Sequence, residues 1–351
     1  MHETTTGPIG HGARFWEKDE AGRVLCTLCP RLCRPGEGQA GFCFVRQNHR
    51  GELRSMGYGH LVGMSVDPME KKPLYHFLPG SRILSFGTVG CNLGCKFCQN
   101  WDISRARAES FRTAALAPAE VVNLARHADC PAIAFTYNDP VIWAEYAMDV
   151  AALARPCGID CVAVTAGYVS AEARGAFFRD VAAANVDLKA FSERFYSKLC
   201  LGHIEPVLDT LRYLVRETRV WVEITNLVIP GWNDDSSEIA LMCDWILREL
   251  GPGVPLHFTA FHPAYRLTDV PPTSLQTLRS ARKLAMEMGL RFVYTGNAWD
   301  PEGSATSCPD CSRVVVARDG MRVRRMDLVG GCCPECGHRV PGKWAAAAHP
   351  S

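Results

Sequence analysis

From Arg82 onward, short apolar runs rich in β-branched residues alternate with longer stretches in which apolar positions recur every three to four residues. The runs read RILSFGTV, AIAFTYN, DCVAVTAG, NVDLKAF, VWVEITNLVIP, PLHFTAF and RFVYTGN. Between them, SSEIALMCDWILREL places Ile239, Met242, Cys243, Ile246 and Leu247 on one helix face by their 3, 4, 7, 8 spacing. Repeated strand–helix units predict parallel strands with right-handed crossovers, hence an α/β fold that is a doubly wound sheet or a β/α barrel. Both architectures place functional residues at the carboxyl ends of strands. Polar residues recur there: Cys91 past the first run, Asn138 and Asp139 at the end of the second, Thr165 in the third, Asp187 and Lys189 in the fourth, His262 after the sixth. One such residue means little, but five strand ends supplying polar groups to one rim predict a site.

The alternation is missing on both sides of this array. In the first 80 or so residues, CTLCPRLCRPGEGQAGFC has neither helical nor strand period, so something other than an apolar core must order it. After about Ala298 a cysteine-rich tail begins. The expected organisation is a four-cysteine module and lead-in over 1–80, the β/α array over 81–300 and the tail over 301–351. No long internal repeat is present, and AAAA at 345–348 is the one low-complexity stretch.

With 351 residues, 47% of them hydrophobic, the chain can bury a sizeable core. Lys and Arg total 38 against 37 Asp and Glu, so no overall field draws it to nucleic acid or an anionic membrane. MHETTTGPIGHGARFWEKDE lacks the apolar stretch of a secretory signal, and no run approaches the roughly 18–20 apolar residues of a membrane span. The expectation is a cytoplasmic protein with no membrane partner, in a compartment that keeps its 17 cysteines reduced and favours metal binding over disulfides. Eleven cysteines form three tight groups. Cys130, Cys157, Cys161, Cys200, Cys243 and Cys332 are scattered and read as small buried hydrophobes.

Cys91, Cys95 and Cys98 form C-x3-C-x2-C. Three thiolates suit a [4Fe–4S] cluster with one iron left open; zinc completed by a distant histidine, or an inert loop, are the alternatives. Cys26, Cys29, Cys33 and Cys43 could close a zinc site or hold an auxiliary cluster, and metal binding would supply the order that the segment's composition does not. Arg31, Arg34, Arg46, Arg50 and Arg54 surround them, either solvating the surface or receiving an anion. Cys308-x2-Cys311 and Cys333-x2-Cys336, with Cys332 to spare, flank a β-rich spacer in the pattern of a zinc ribbon, an electron-transfer iron site being the alternative. Ribbons also occur in nucleic-acid binders, but the near-neutral charge and the lack of an RNA-binding motif argue against that role. Lys71, Lys72, Tyr75 and His76 stand just before the first strand, to face a substrate, shuttle a proton or serve packing.

The C-x3-C-x2-C loop, with aromatic Phe97 before its last cysteine and a strand before it, resembles that of the radical S-adenosylmethionine (SAM) superfamily. The resemblance implies a partial (β/α)6 TIM-like barrel, a [4Fe–4S] cluster whose open iron chelates SAM, and a 5′-deoxyadenosyl radical that abstracts hydrogen from a substrate. Asn138 and Asp139 of TYNDP stand where related activating enzymes carry Gly-Gly-Glu, implying a contact to the SAM amino group. VTAGY resembles a strand-end Thr-Asn-Gly motif, keeping Thr165 but placing Ala166 at the asparagine. In VDLK, Lys189 resembles the lysine that pairs with the SAM carboxylate, with Asp187 ordering it or binding ribose. His262 of FTAFHP matches a histidine near the ribose. VDPMEKKPLYHFLPG, CNLGCKFCQNWDIS, YNDP, NVDLKAFS and the cysteine groups resemble the radical SAM member of the AmmeMemoRadiSam system. Implied partners are a low-potential electron donor of flavodoxin or ferredoxin type and AMMECR-type and Memo-type proteins. Direct modification of a substrate is expected; an activase making a glycyl radical on a partner protein and a non-enzymatic zinc-ribbon scaffold are the competing expectations.

Overall fold

The computed structural model describes residues 10–107 and 114–344; the first nine residues and the alanine run at 345–348 lie outside the described residues. An eight-stranded sheet dominates: β1 (Val62–Pro68), β2 (Arg82–Gly87), β3 (Ala132–Phe135), β4 (Asp160–Thr165), β5 (Ala183–Asp187), β6 (Trp221–Val228), β7 (Leu256–Ala260) and β8 (Val293–Gly296). They stand side by side in sequence order, with β1 antiparallel to β2 and every later pair parallel. An unreversed order is that of a barrel, since a doubly wound sheet switches direction partway. Among the described residues β1 and β8 do not pair, so the barrel is partial. Six crossovers join the seven parallel strands. Part of the expected 1–80 segment thereby joins the sheet as its edge strand.

The crossovers carry α1 (Pro118–His127), α2 (Ala144–Ala154), α3 (Ala171–Phe178), α4 (Glu205–Glu217), α5 (Ser236–Glu249) and α6 (Leu275–Glu287). Ser170, Asp235 and Ser274 cap α3, α5 and α6 by accepting backbone N–H bonds, each cap worth about 1 kcal/mol. In α5 the face predicted from spacing is the buried one, with Trp245 added and Leu247 only partly covered. No helix among the described residues is long and apolar enough to cross a membrane.

Helices outside and filling inside explain why β3, AIAF, is buried at every position. Residues paired across parallel strands share a face. Inside the base of the barrel, Ile83, Ala132, Ala134, Val162 and Ala183 pack on Met69, Leu74, Phe77 and Leu78 of the lead-in. Small alanines leave room for that plug. Above it the interior turns polar around Glu223, whose carboxylate accepts the N–H groups of Tyr75 (3.0 Å) and His76 (2.8 Å), Trp221 Nε1 (3.0 Å) and His257 Nε2 (2.7 Å).

Three antiparallel strands, β9 (Thr306–Ser307), β10 (Val314–Asp319) and β11 (Arg322–Met326), form the tail. Buried Arg318 docks it: the guanidinium donates to Tyr75 O (2.7 Å), Ser304 O (3.0 Å) and Thr306 Oγ1 (2.9 Å) and covers the Tyr75 ring. His76 lies fully buried, one ring nitrogen 2.7 Å from Pro341 O and the other 2.6 Å from Tyr294 Oη. Tyr75 and His76 are thus joints between barrel and tail. Lys72 is buried against Asp67 (2.7 Å), and Lys71 pairs with the same carboxylate at the surface.

Burial holds the His76 imidazole down to about 4, against 6.5 in an open chain. Between those values the unfolded chain binds a proton that the folded one refuses, so stability is full above pH 6.5 and is lost as pH falls toward 4, by roughly 3 kcal/mol in all. The urea midpoint is expected to fall between pH 7 and pH 4.5, and to fall less in His76→Gln. Equal pH dependence in the two proteins would place the proton elsewhere.

Candidate metal and cofactor site

At the carboxyl end of β2 the chain enters the loop that carries Cys91, Cys95 and Cys98. Backbone bonds tie its middle to the segment before α4, Gly94 N to Cys200 O (2.9 Å) and Lys96 N to Leu199 O (2.8 Å). Asn92 Nδ2 donates to Tyr168 O at 2.8 Å, anchoring the loop to the end of β4. The short helix Trp101–Ser104 closes it, with Ser104 Oγ 3.6 Å from Cys98 Sγ. The N–H groups of Leu93 and Asp139 point at the Cys91 sulfur, and that of Asn100 at Cys98.

All three cysteines are half-buried. Burial pushes the Cys91 and Cys98 thiols up, and Cys95 is raised first by its hydrogen bond with the Cys200 thiol and then by burial. Such thiols become ligands only when a cation displaces their protons. The three cysteine groups differ in how closely their sulfurs draw together. Among the described residues, the cysteine set whose sulfurs all lie within 4.8 Å of one another is the C-terminal one, Cys308, Cys311, Cys333 and Cys336. A single tetrahedral ion with metal–sulfur bonds of about 2.3 Å needs such a close set. The loop cysteines do not form such a set among the described residues.

Facing the loop is the end of β5. Lys189 Nζ donates to Asp187 Oδ2 at 2.8 Å, and the Asp187 carboxylate holds the ammonium well above its usual range against burial, which opposes the charge. Its backbone is fixed from both sides: Lys189 N donates to Tyr196 Oη (3.1 Å), and Asn233 Nδ2 to Lys189 O (2.7 Å). The VIPGWNDD stretch therefore acts through Asn233 as a brace for the lysine. Phe97 is buried, packed on Phe195, with the Lys189 ammonium 6.0 Å from its ring centre.

At the ends of β3 and β4, Asp139 accepts from Val141 N (3.1 Å), Thr165 Oγ1 (2.9 Å) and Ala166 N (2.9 Å). Burial raises its pKa against those bonds. Asn138 uses its whole amide on the strand before the cysteines: Oδ1 accepts from Thr88 N (3.1 Å) and Trp143 Nε1 (3.3 Å), and Nδ2 donates to Gly90 O (2.8 Å) and Thr88 Oγ1 (3.2 Å). Between them and β3, Tyr137 holds φ +70°, a left-handed conformation that costs a tyrosine about 1–3 kcal/mol. That backbone aims the Tyr137 carbonyl at Asn100 Nδ2 (2.8 Å), and its hydroxyl reaches Asp67 (3.1 Å). His262 stands exposed on the same rim, 3.4 Å from Asn297 O. A cavity of about 270 Å³ opens beside β7 and β8, lined by Tyr75, His257, Thr259, Asn297 and Trp299.

The structure thus gathers Cys91, Cys95, Cys98, Asp139, Thr165, Asp187 and Lys189, with His262 farther along the rim. Spacing could not single out Asn92, Ser104, Tyr196 or Cys200. Of the six scattered cysteines, Cys130, Cys161, Cys200 and Cys243 are buried as expected, Cys332 is only half-buried, and Cys157 is exposed because it ends the turn after α2. Cys200 also departs from an inert filler, since its sulfur meets Cys95.

A family model described as the radical SAM superfamily matches residues 86–243. An uncharacterized protein of Methanocaldococcus jannaschii is 39% identical over 330 residues, 93% of this chain and 98% of that protein. Among solved structures, a radical SAM methyltransferase from Sphaerobacter thermophilus overlays with a TM-score of 0.50 at 18% identity, covering 63% of this chain and 68% of its own. A domain of pyruvate-formate lyase-activating enzyme from Bacteroides vulgatus gives 0.41 at 18% identity, over 47% of this chain and 98% of that one.

Proposed function

Because the chain belongs to the radical SAM superfamily, we propose that it is an enzyme that holds a [4Fe–4S] cluster on Cys91, Cys95 and Cys98 and cleaves SAM reductively to take a hydrogen atom from a substrate. One observation carries the reading: three half-buried thiols on a strand-end loop face an ammonium fixed by Asp187. Cluster and SAM together supply one-electron cleavage of the sulfonium and the resulting 5′-deoxyadenosyl radical.

The chain's own groups bind and orient. Lys189 offers a positive charge to the SAM carboxylate. Asp139, with three donors already bound, keeps about one of its four lone-pair positions for the SAM ammonium. Asn138, fully engaged, positions the loop instead. The buried side chains around the site, Phe97, Asp139 and Thr165 among them, limit water at a radical. The closed C-terminal set is read as structural zinc. Electrons come from a low-potential one-electron donor of flavodoxin or ferredoxin type, in keeping with a reducing, cytoplasmic setting.

Lys189→Ala tests the carboxylate contact. A charge-assisted hydrogen bond contributes about 1.5–3 kcal/mol, so SAM affinity is expected to weaken roughly tenfold to a hundredfold. Iron content should not change. Unaltered binding by anaerobic calorimetry would assign the carboxylate to another group.

A further inference from the structure

The four N-terminal cysteines lie outside the site described above. Cys26, Cys29 and Cys43 are buried and Cys33 is half-buried, and the four are near enough to act electrostatically on one another. Past Cys26, which ends a strand Val24–Cys26 paired with Trp16–Lys18, the segment to Cys43 holds no strand. It is clamped to the barrel instead, Ser170 Oγ donating to Thr27 O (2.6 Å) and Arg46 pairing with Glu145 of α2 (2.9 Å).

Three observations bear on what these thiols hold. Their sulfurs do not draw into the close set that the C-terminal four make, so a single tetrahedral ion does not fit them as it fits the ribbon. Buried donors without partners collect in this module: Arg46 Nε and Nη2, Ser55 Oγ opposite Arg46 in the antiparallel pair of strands Arg46–His49 and Glu52–Ser55, and Thr27 Oγ1 next to Cys26. Arg46 is 2% exposed, and its charge interacts with both Cys26 and Cys43. A tetrathiolate iron–sulfur cube is anionic and carries four inorganic sulfides as further acceptors, which would give a partner to the unpartnered Nε and Nη2 of Arg46, whose charge reaches these thiols. Finally, the module abuts the first site. Gly90, at φ +86° and one residue before Cys91, lies so close to the Cys43 carbonyl that a Cβ there would run into the oxygen. Arg31, between Cys29 and Cys33, donates to the carbonyls of Asn92 and Leu201 and stacks on Phe42 at 3.4 Å.

We propose that Cys26, Cys29, Cys33 and Cys43 bind a second [4Fe–4S] cluster, closed by four thiolates and seated against the loop of the first. The proposal rests on the iron–sulfur reading of the Cys91 loop only for the neighbour it assigns, and one experiment separates the two. Full-length protein is reconstituted anaerobically with ferrous iron and sulfide in the presence of zinc, alongside a variant carrying Cys91→Ala, Cys95→Ala and Cys98→Ala. Wild type is expected to carry about eight irons per chain and the triple variant about four, with equal sulfide and the brown charge-transfer absorption. Adding Cys33→Ser, at the least buried of the four, should lower the remaining iron with circular dichroism unchanged. A triple variant holding no iron and one extra zinc would overturn the second cluster while leaving the function above intact. A wild type with about four irons, all surviving the triple replacement, would uphold this site and remove the first.

Discussion

Cys95→Ala is expected to take reductive SAM cleavage to background, a fall of roughly three orders of magnitude or more in 5′-deoxyadenosine formed under strong reductant. The loop around it should survive, because Gly94, Lys96 and Asn92 are held by backbone carbonyls and not by the sulfur. Circular dichroism and melting temperature should therefore match wild type while iron falls by about four per chain. The Lys189–Asp187 pair does not touch that sulfur through its hydrogen bond and should persist. Cleavage retained at wild-type rate would mean that this loop is not the metal centre.

Glu223→Ala is expected to be the most destabilising single change in the barrel interior. Four donors converge on its carboxylate, two of them the backbone N–H groups of Tyr75 and His76 that seat the lead-in. Its pKa is lowered in spite of burial, which opposes the charge, because His257 and those N–H groups outweigh it. Removing one side of a buried pair leaves the rest uncompensated, at about 3–5 kcal/mol. The melting temperature should drop on the order of 10 °C, and Glu223→Gln should fall between the two, since an amide can accept but turns two of its own donors toward existing ones. A drop of a degree or less in Ala would show the interior filled by water that replaces the carboxylate.

Much of this was legible along the chain. The seven runs named from apolar pattern became the seven parallel strands, and the helix face of α5 followed its spacing, because periodicity reports which side of an element faces the core. Four of the five polar strand ends, those of Cys91, Asp139, Thr165 and the Asp187–Lys189 pair, came together, while His262 stands apart with Asn297. What misled was reading Tyr75 and His76 as possible substrate groups. Their neighbours Tyr294 and Pro341 lie 218 and 265 residues away, and nothing in EKKPLYHF announces them. Asn138 illustrates the same gap: its type fits an ammonium, but its four hydrogen bonds, spent on Thr88, Gly90 and Trp143, were visible only in space.

By itself the sequence determined the order of strands and helices, the three cysteine groups and the rim on which chemistry could gather, since each depends on residues a few positions apart. Only the tertiary structure decided which group of thiols closes tightly and which stands open, that Arg46 meets Glu145 across 99 residues, and that Cys43 rests on Gly90. Those outcomes are fixed by how separate elements pack, and packing of distant surfaces leaves no periodic trace in either one.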